Sequence, residues 1–315
     1  MTARIVPILP ETIAIAAEIL SEGGLVAMPT ETVYGLAADA ANPAAVARIY
    51  EAKGRPRFNP LIAHVSSWAM AERQAEFSGL ARALGEAFWP GPLTMVLPSA
   101  TGSRVSDLAR AGLDTVALRW PRHSAAQALI EAFGGPLVAP SANRSGHVSP
   151  TTAEHVAADL GDRIDLILDG GPCSVGLEST IIGFENGEAV LLRPGGLETS
   201  SISAKIGRAV HARSQTDAIN APGQLKSHYA PRARLRLDVT EPAEGEGYIC
   251  FGPGQRGGLN LSPKGDLAEA AANLFSMLRA LDQSHTTIAA GPVPDEGLGE
   301  AINDRLRRAA VRDPD

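Results

Sequence analysis

The sequence predicts an α/β protein: a large mixed, twisted sheet with helices around it, followed by a second, smaller α/β domain. Three observations carry this expectation. Short β-branched or Leu-rich runs alternate with helix-period patterns through the first two-thirds of the chain. The later strand candidates crowd together, which argues for a mixed sheet rather than a strictly parallel one. A polar, aperiodic stretch then interrupts the alternation before it resumes.

Taken in order, strands are expected at 25–28, 61–65, 93–97, 116–120, 137–139, 166–168, 179–183 and 189–192. Helices are expected near 11–22, 43–53, 79–89, 124–133, 151–160 and 200–210. Val46, Ile49 and Tyr50 recur at helical spacing, and Thr151 and Thr152 followed by Glu154 have the form of a capped helix start. The stretch 212–233, with Pro222, Gly223 and Pro231, reads as a linker. Beyond it come a strand at 248–251, a helix at 266–282, a strand at 287–290 and a helix at 298–310. The expected division is a domain over 1–211, the linker, and a small α/β domain over 234–315.

Composition narrows the function. A hydrophobic content of 44% and a charged content of 20% are those of an ordinary globular chain. The net charge of −7 argues against a surface that grips nucleic acid throughout, while leaving room for a local basic cleft. Cys173 and Cys250 lie far apart with no metal-ligand spacing, so a disulfide framework or structural zinc is not expected and a reducing compartment fits. The apolar run 13–20 has Glu11 before it and Glu18 within it, and no membrane-length apolar segment follows; a cytoplasmic location is expected.

Familiar motifs are missing: there is no GxxxxGK[ST] loop, no HExxH and no GxSxG. A GxGxxG at Gly252, Gly254 and Gly257 is followed by residues that do not open a helix, so a glycine-rich turn is the better reading.

The informative segments lie elsewhere. PTETVYGL (29–36) follows a strand and can offer Thr30, Thr32 and backbone N–H groups to an anion; a capped turn is the plain alternative. In KGRPRFNP (53–60), Lys53, Arg55 and Arg57 alternate, which in an extended segment puts three cations on one side. Pro56 and Pro60 favour the extended form, and a polyphosphate would neutralise the cluster. Asn59 adds an amide, and His64 sits on the next strand as ligand or satisfied core residue. APSANRSGHVSPT (139–151) sets Ser141, Asn143, Ser145 and Ser149 beyond a strand's C-terminal end, where open α/β sheets bind ligands. Ser179 and Arg193 flank strand ends near glycines, and Arg119 on the apolar strand VALRW needs an anionic partner. Together these outline a cleft lined with cations and hydroxyls, suited to a small anionic ligand.

In that order, PTETVYGLA, KGRPRFNPLIAH, FWPGPLTMVLP, APSANRSG, SPT, LDGG, ESTII and LRPGG resemble the YrdC-like domain of threonylcarbamoyl-AMP synthases over about residues 5–210. PGQLKSHYAP and the α/β segment after it resemble the long form of that family, with a Rossmann-like C-terminal domain. Departures are small: Ala63, Met95 and the pair Ile181–Ile182, none of which removes a polar group. The resemblance implies a YrdC-like sheet around a basic cleft, and a nucleotidyltransferase that condenses L-threonine, bicarbonate or CO2 and ATP into threonylcarbamoyl-AMP and pyrophosphate, for threonylcarbamoyladenosine modification of tRNA.

It further implies that Thr32, His64, Arg119, Ser179 and the Ala139 backbone form the threonine site. Arg55, Asn59, Thr115, Ser141, Ser149 and Arg193 match ATP positions, and Tyr229 is expected to fold back over the nucleotide. Lys53 and Arg55 are expected to offset phosphate charge during catalysis. Mg²⁺ is expected on the ATP phosphates rather than in a protein cage. The tRNA threonylcarbamoyl-transferase machinery is the expected consumer of the product, and direct tRNA binding stays open. Two other readings fit the sequence less well. An RNA-binding module using the same cleft is disfavoured by the acidic charge and the lack of aromatic–basic interleaving. Another carbamoyl-transfer enzyme is disfavoured because the cysteines its zinc sites require are absent.

Overall fold

A computed structural model describes residues 3–212, 228–255 and 257–311; most of the expected linker, 213–227, lies outside them. In chain order the elements are β1 (Arg4–Pro7), α1 (Pro10–Ser21), β2 (Val26–Met28), β3 (Gly35–Asp39), α2 (Pro43–Lys53), β4 (Ile62–His64), α3 (Trp68–Glu72), α4 (Gly79–Phe88), β5 (Leu93–Pro98), α5 (Asp107–Arg110), β6 (Thr115–Arg119), α6 (Ser124–Phe133), β7 (Leu137–Val138), α7 (Ala153–Leu160), β8 (Leu166–Asp169), β9 (Thr180–Glu185), β10 (Glu188–Arg193), α8 (Thr199–Ile206) and β11 (His211–Ala212). From residue 228 onward come β12 (Arg234–Arg236), β13 (Gly247–Cys250), β14 (Leu259–Asn260), α9 (Leu267–Asp282), β15 (Thr287–Ala290) and α10 (Leu298–Ala310).

The first eleven strands form one sheet in the order β1-β8-β2-β3-β7-β4-β6-β5-β9-β10-β11, with parallel and antiparallel neighbours mixed. The last four form a wholly parallel sheet, β12-β15-β13-β14. The mixed α/β architecture and the small second sheet match what the sequence predicts.

Local chemistry sets the helix ends. Asn42 accepts from the Ala44 and Ala45 amides, Pro43 occupies the first turn, and Gly54 closes α2 at φ +60°. Thr152, one of the two threonines singled out above, caps α7 through the His155 amide. Asp266 caps α9, whose buried stripe includes Ala271, Leu274, Phe275 and Leu278. The glycines at 252, 254 and 257 all have positive φ and lead from β13 into β14 rather than into a helix, as a glycine-rich turn does.

Two main apolar cores result. The larger follows the first sheet, and the smaller unites Phe275, Leu278 and Ile288 of the second part with Val33, Val148 and Leu177 of the first. The second sheet is therefore packed against the first through a shared core. The junction is tight at Gly176 (φ +76°), where an added Cβ would meet the Ala272 Cα at 2.4 Å. Both the backbone conformation and the missing side chain are needed there. Gly176→Ala should lower stability by about 1–3 kcal/mol for the overpacking on top of about 1–2 kcal/mol of backbone strain, read as a reduced urea midpoint with an unchanged slope. Gly54→Ala meets nothing within 4 Å and should cost only the backbone strain, ~1–2 kcal/mol. Equal losses at the two positions would refute the tight junction.

Candidate active site

The cleft lies where β4, β6, β5 and β9 run side by side. His64 pairs with Arg119 across β4 and β6, and Arg119 pairs with Thr94 across β6 and β5. Thr94 Oγ1 and Ser179 Oγ are 2.7 Å apart, extending this polar row to the start of β9. One step along the same face, Ile62, Ala117 and Val96 form an apolar row. A cavity of about 50 Å³ reaches this row at Ile62, with Thr32, Arg55, His64, Arg119, Ser141, Ser179, Arg193 and Tyr229, together with Ala139, in its wall.

Each cation is held by a specific set of acceptors. Arg119 Nη2 lies 2.7 Å from Glu31 Oε1, Nη1 donates to Thr32 Oγ1 at 2.7 Å, and Nε donates to the Gly91 carbonyl. Burial alone would raise the Glu31 pKa, but the charge and hydrogen bond of Arg119 outweigh it and hold the carboxyl below its usual range. Arg55 donates to the carbonyls of Asn59 and Pro60 and has no carboxylate partner among the described residues. Burial, with Arg193 nearby, pulls its pKa down to about 10, which leaves it charged at neutral pH. Arg193 donates from Nη2 to the Ser179 carbonyl at 2.7 Å.

His64 is different in kind. Burial drives its pKa down to about 3, Arg119 adds to the depression, and the contact with the Ile62 carbonyl opposes it. A carbonyl can only accept, so Nδ1 carries the proton at 3.2 Å from Ile62 O and Nε2 is left as an acceptor. Tyr229, at φ +65°, stacks on Phe275 and presents a hydroxyl with no hydrogen-bond partner among the described residues. His228 beside it has an Nδ1 with no partner among the described residues and a pKa pushed to about 3, mainly by burial. Such orphaned buried groups are costly unless a ligand meets them.

Not every expected site residue reaches the cavity. Lys53, expected to face phosphates, ends α2 and donates from Nζ to the carbonyls of Ser141 and Asn143, each at 2.5 Å. It ties down the loop that carries Ser141 instead of lining the cleft, and burial pushes its pKa well below the lysine range. The expected extended run of three cations is replaced by a turn, because Gly54 reverses the chain after the helix; Arg57 is exposed. Asn59 offers its carbonyl to Arg55 and Tyr50, while its buried Oδ1 has no hydrogen-bond partner among the described residues. Ser149 donates to Glu178 outside the cleft wall. Thr115 begins β6, four residues from Arg119 and about 13 Å away along the strand, with the apolar row between them.

The sequence reading also missed partners. Glu31 and Glu178 sit inside motifs quoted above, and the available signal was that buried arginines require carboxylates. His228 could have been found as the neighbour of Tyr229.

Acid stability tests the neutral His64. Its native pKa lies below the unfolded value near 6.5, so the unfolded chain binds the extra proton and stability falls as pH drops from about 6.5 towards the native pKa near 3. His64→Gln should remove about one proton's share, ~1.4 kcal/mol per pH unit, from the slope of unfolding free energy between pH 6 and 4. An unchanged slope would contradict a buried neutral imidazole.

Comparison with known proteins agrees with this geometry. The Sua5–YciO–YrdC family model, described as telomere recombination, matches residues 18–195, and one described as the threonylcarbamoyl-AMP synthase C-terminal domain matches 188–311. A threonylcarbamoyl-AMP synthase of Pyrococcus abyssi is 44% identical over 321 residues, covering 95% of this chain and 94% of its own. One from Bacillus subtilis is 42% identical over 325 residues, covering 95% and 92%. The crystal structure of P. abyssi Sua5 complexed with L-threonine superposes with a TM-score of 0.90 at 41% identity, over 98% of both chains. With both of its parts matched and the same fold throughout, the chain belongs to the threonylcarbamoyl-AMP synthase family.

Proposed function

We propose that the chain is an L-threonylcarbamoyladenylate synthase, a nucleotidyltransferase that condenses L-threonine, bicarbonate or CO2, and ATP. The observation that carries this reading is a cavity whose wall holds two buried guanidiniums, Arg55 and Arg193, and with them Arg119, Thr32, Ser179 and a neutral His64. The first group suits polyphosphate and the second suits an amino acid with a carboxylate and a hydroxyl. The carboxylate of threonine takes the Arg119 fork beside Thr32. His64 Nε2 accepts from the amino or hydroxyl group.

The chemistry needs no covalent enzyme intermediate. The neutral amine of threonine attacks CO2, forming an N–C bond and releasing a proton, and the resulting carbamate oxygen attacks the α-phosphorus of ATP. The bond from that phosphorus to the bridging oxygen breaks, and pyrophosphate leaves with the electron pair. Arg55 and Arg193 stabilise the charge gathering on phosphate oxygens, Tyr229 offers its free hydroxyl to the ligand, and Lys53 acts indirectly by fixing the Ser141 loop. The apolar row of Ile62, Ala117 and Val96 offers a surface for the adenine, with Thr115 at its far end.

With Mg²⁺ carried on ATP, part of the phosphate charge would be neutralised. Glu178, the carboxylate in the cavity wall, is already committed to Ser149 and Arg305, and no cluster of three or more His, Cys, Asp or Glu occurs among the described residues. That donor set fits a metal carried on ATP and water. The product is a reactive mixed anhydride, so a tRNA threonylcarbamoyl-transferase is its natural consumer. No helix among the described residues is long and apolar enough to cross a membrane, in keeping with a cytoplasmic setting.

Purified protein with ATP, Mg²⁺ and bicarbonate should release pyrophosphate only when L-threonine is added. Arg55→Ala and Arg193→Ala should each lower kcat by ~10²–10³-fold. Release that ignores threonine would point to another acceptor and overturn the reading.

A further inference from the structure

α10 carries Arg305 into the junction between the two sheets, where the side chain is fully buried. Nε donates to Glu178 Oε2 at 2.9 Å, and Nη1 donates to the Pro194 carbonyl at 2.9 Å and to Asp304 Oδ2 at 2.8 Å. The guanidinium carbon also lies 5.0 Å from the centre of the Tyr229 ring. The second oxygen of Glu178 accepts from Ser149. Glu178, Arg193 and Tyr229 are in the cavity wall, whereas Arg305 is behind it.

We infer that Arg305 is a positioning residue for the synthase cleft. Through it the C-terminal sheet holds Glu178, the backbone after Arg193, and the Tyr229 ring in one arrangement. A planar guanidinium is suited to this because its donors diverge in fixed directions while its face remains free for an aromatic ring. Lysine could satisfy Glu178 or the Pro194 carbonyl, but not both with the ring as well. Methionine would fill the space and leave Glu178 as a buried, unpaired charge. A buried ion pair alone is weak grounds for a stabilising role. Here the distinguishing observation is that three contacts of one side chain converge on cavity-wall elements from separate parts of the chain.

The kinetic side of this inference rests on the proposed synthase activity; the structural side does not, and one experiment separates them. Arg305→Met and Arg305→Lys are made in the full chain, with Arg307→Ala as a control at an exposed site on the same helix. Hydrogen exchange is followed at the Gly196 amide, which donates to the Glu178 carbonyl at 2.9 Å, and at the β13 amides as an internal reference. Values of kcat and KM for pyrophosphate release are measured well below each unfolding midpoint.

Arg305→Met should accelerate Gly196 exchange about tenfold relative to β13 and lower kcat by ~10²-fold, with a smaller change in KM. Arg305→Lys should fall between it and wild type, and Arg307→Ala should match wild type. Wild-type Gly196 exchange or wild-type kcat in a folded Arg305→Met protein overturns the inference, as does a loss of kcat explained entirely by the unfolded fraction. If Arg305→Met does not fold, Arg305→Lys decides by the same readouts. If wild-type protein releases no pyrophosphate, the synthase reading fails and the exchange result alone decides the role of Arg305.

Discussion

The cleft depends on cross-strand register. His64, Arg119 and Thr94 stand in one row because β4, β6 and β5 pair at those positions, and Ser179 joins through the Thr94 hydroxyl. The alternate residues Ala63, Leu118 and Met95 face the main core. Side chains alternate faces along a strand, so a slip of one residue would send the polar row into that core and turn leucine and methionine to the ligand. The register is specified by burial on the opposite face. Hydrophobic packing therefore positions the polar site.

The second constraint is charge. Lys53, Arg55, Arg119, Arg193 and Arg305 are all buried in a chain of net charge −7. Glu31 balances Arg119 and Glu178 balances Arg305. The acceptors found for Lys53 and Arg55 are backbone carbonyls, and the Ser179 carbonyl accepts from Arg193 through both Nε and Nη2. Carbonyl dipoles satisfy N–H donors and fix their direction without cancelling the charge. The cleft thus remains positive and already oriented, which is the condition under which buried donors can stabilise charge that develops later.

Much of this was legible in the sequence where period, cap and composition agree. The helix at 43–53 is bracketed by Asn42–Pro43 and Gly54 and needed no tertiary information; the same holds for 124–133, between His123 and Gly134. β3 was not legible: GLAAD has neither alternation nor β-branched residues, and both its faces are buried, so packing decides its conformation. β1 and β12 are short, with exposed positions, while β11 and β14 have only two residues each; α3 and α5 are little more than one turn. The cavity residues were readable as a set because they fall at strand ends in ordered motifs. Lys53 is placed outside the cleft wall because alternation implies a shared side only in an extended chain, and a left-handed glycine follows that lysine. Glu178 and Arg305 are 127 residues apart, and no local pattern links them.

The second sheet follows the same logic as the first. Tyr229 lies in the cavity wall, yet its ring belongs to the apolar cluster of Phe275, Leu274 and Leu278, together with Val33 and Leu177. A close-packed interior resists compression, so the separation of the two sheets is set by contacts such as Gly176 against α9. A loop folded over the site would leave that separation to flexible backbone, whereas a helix backed by its own sheet does not. Packing fixes the distance and Arg305 fixes the direction. Both are required if Tyr229 and Arg55 are to meet one small anionic ligand at hydrogen-bonding range.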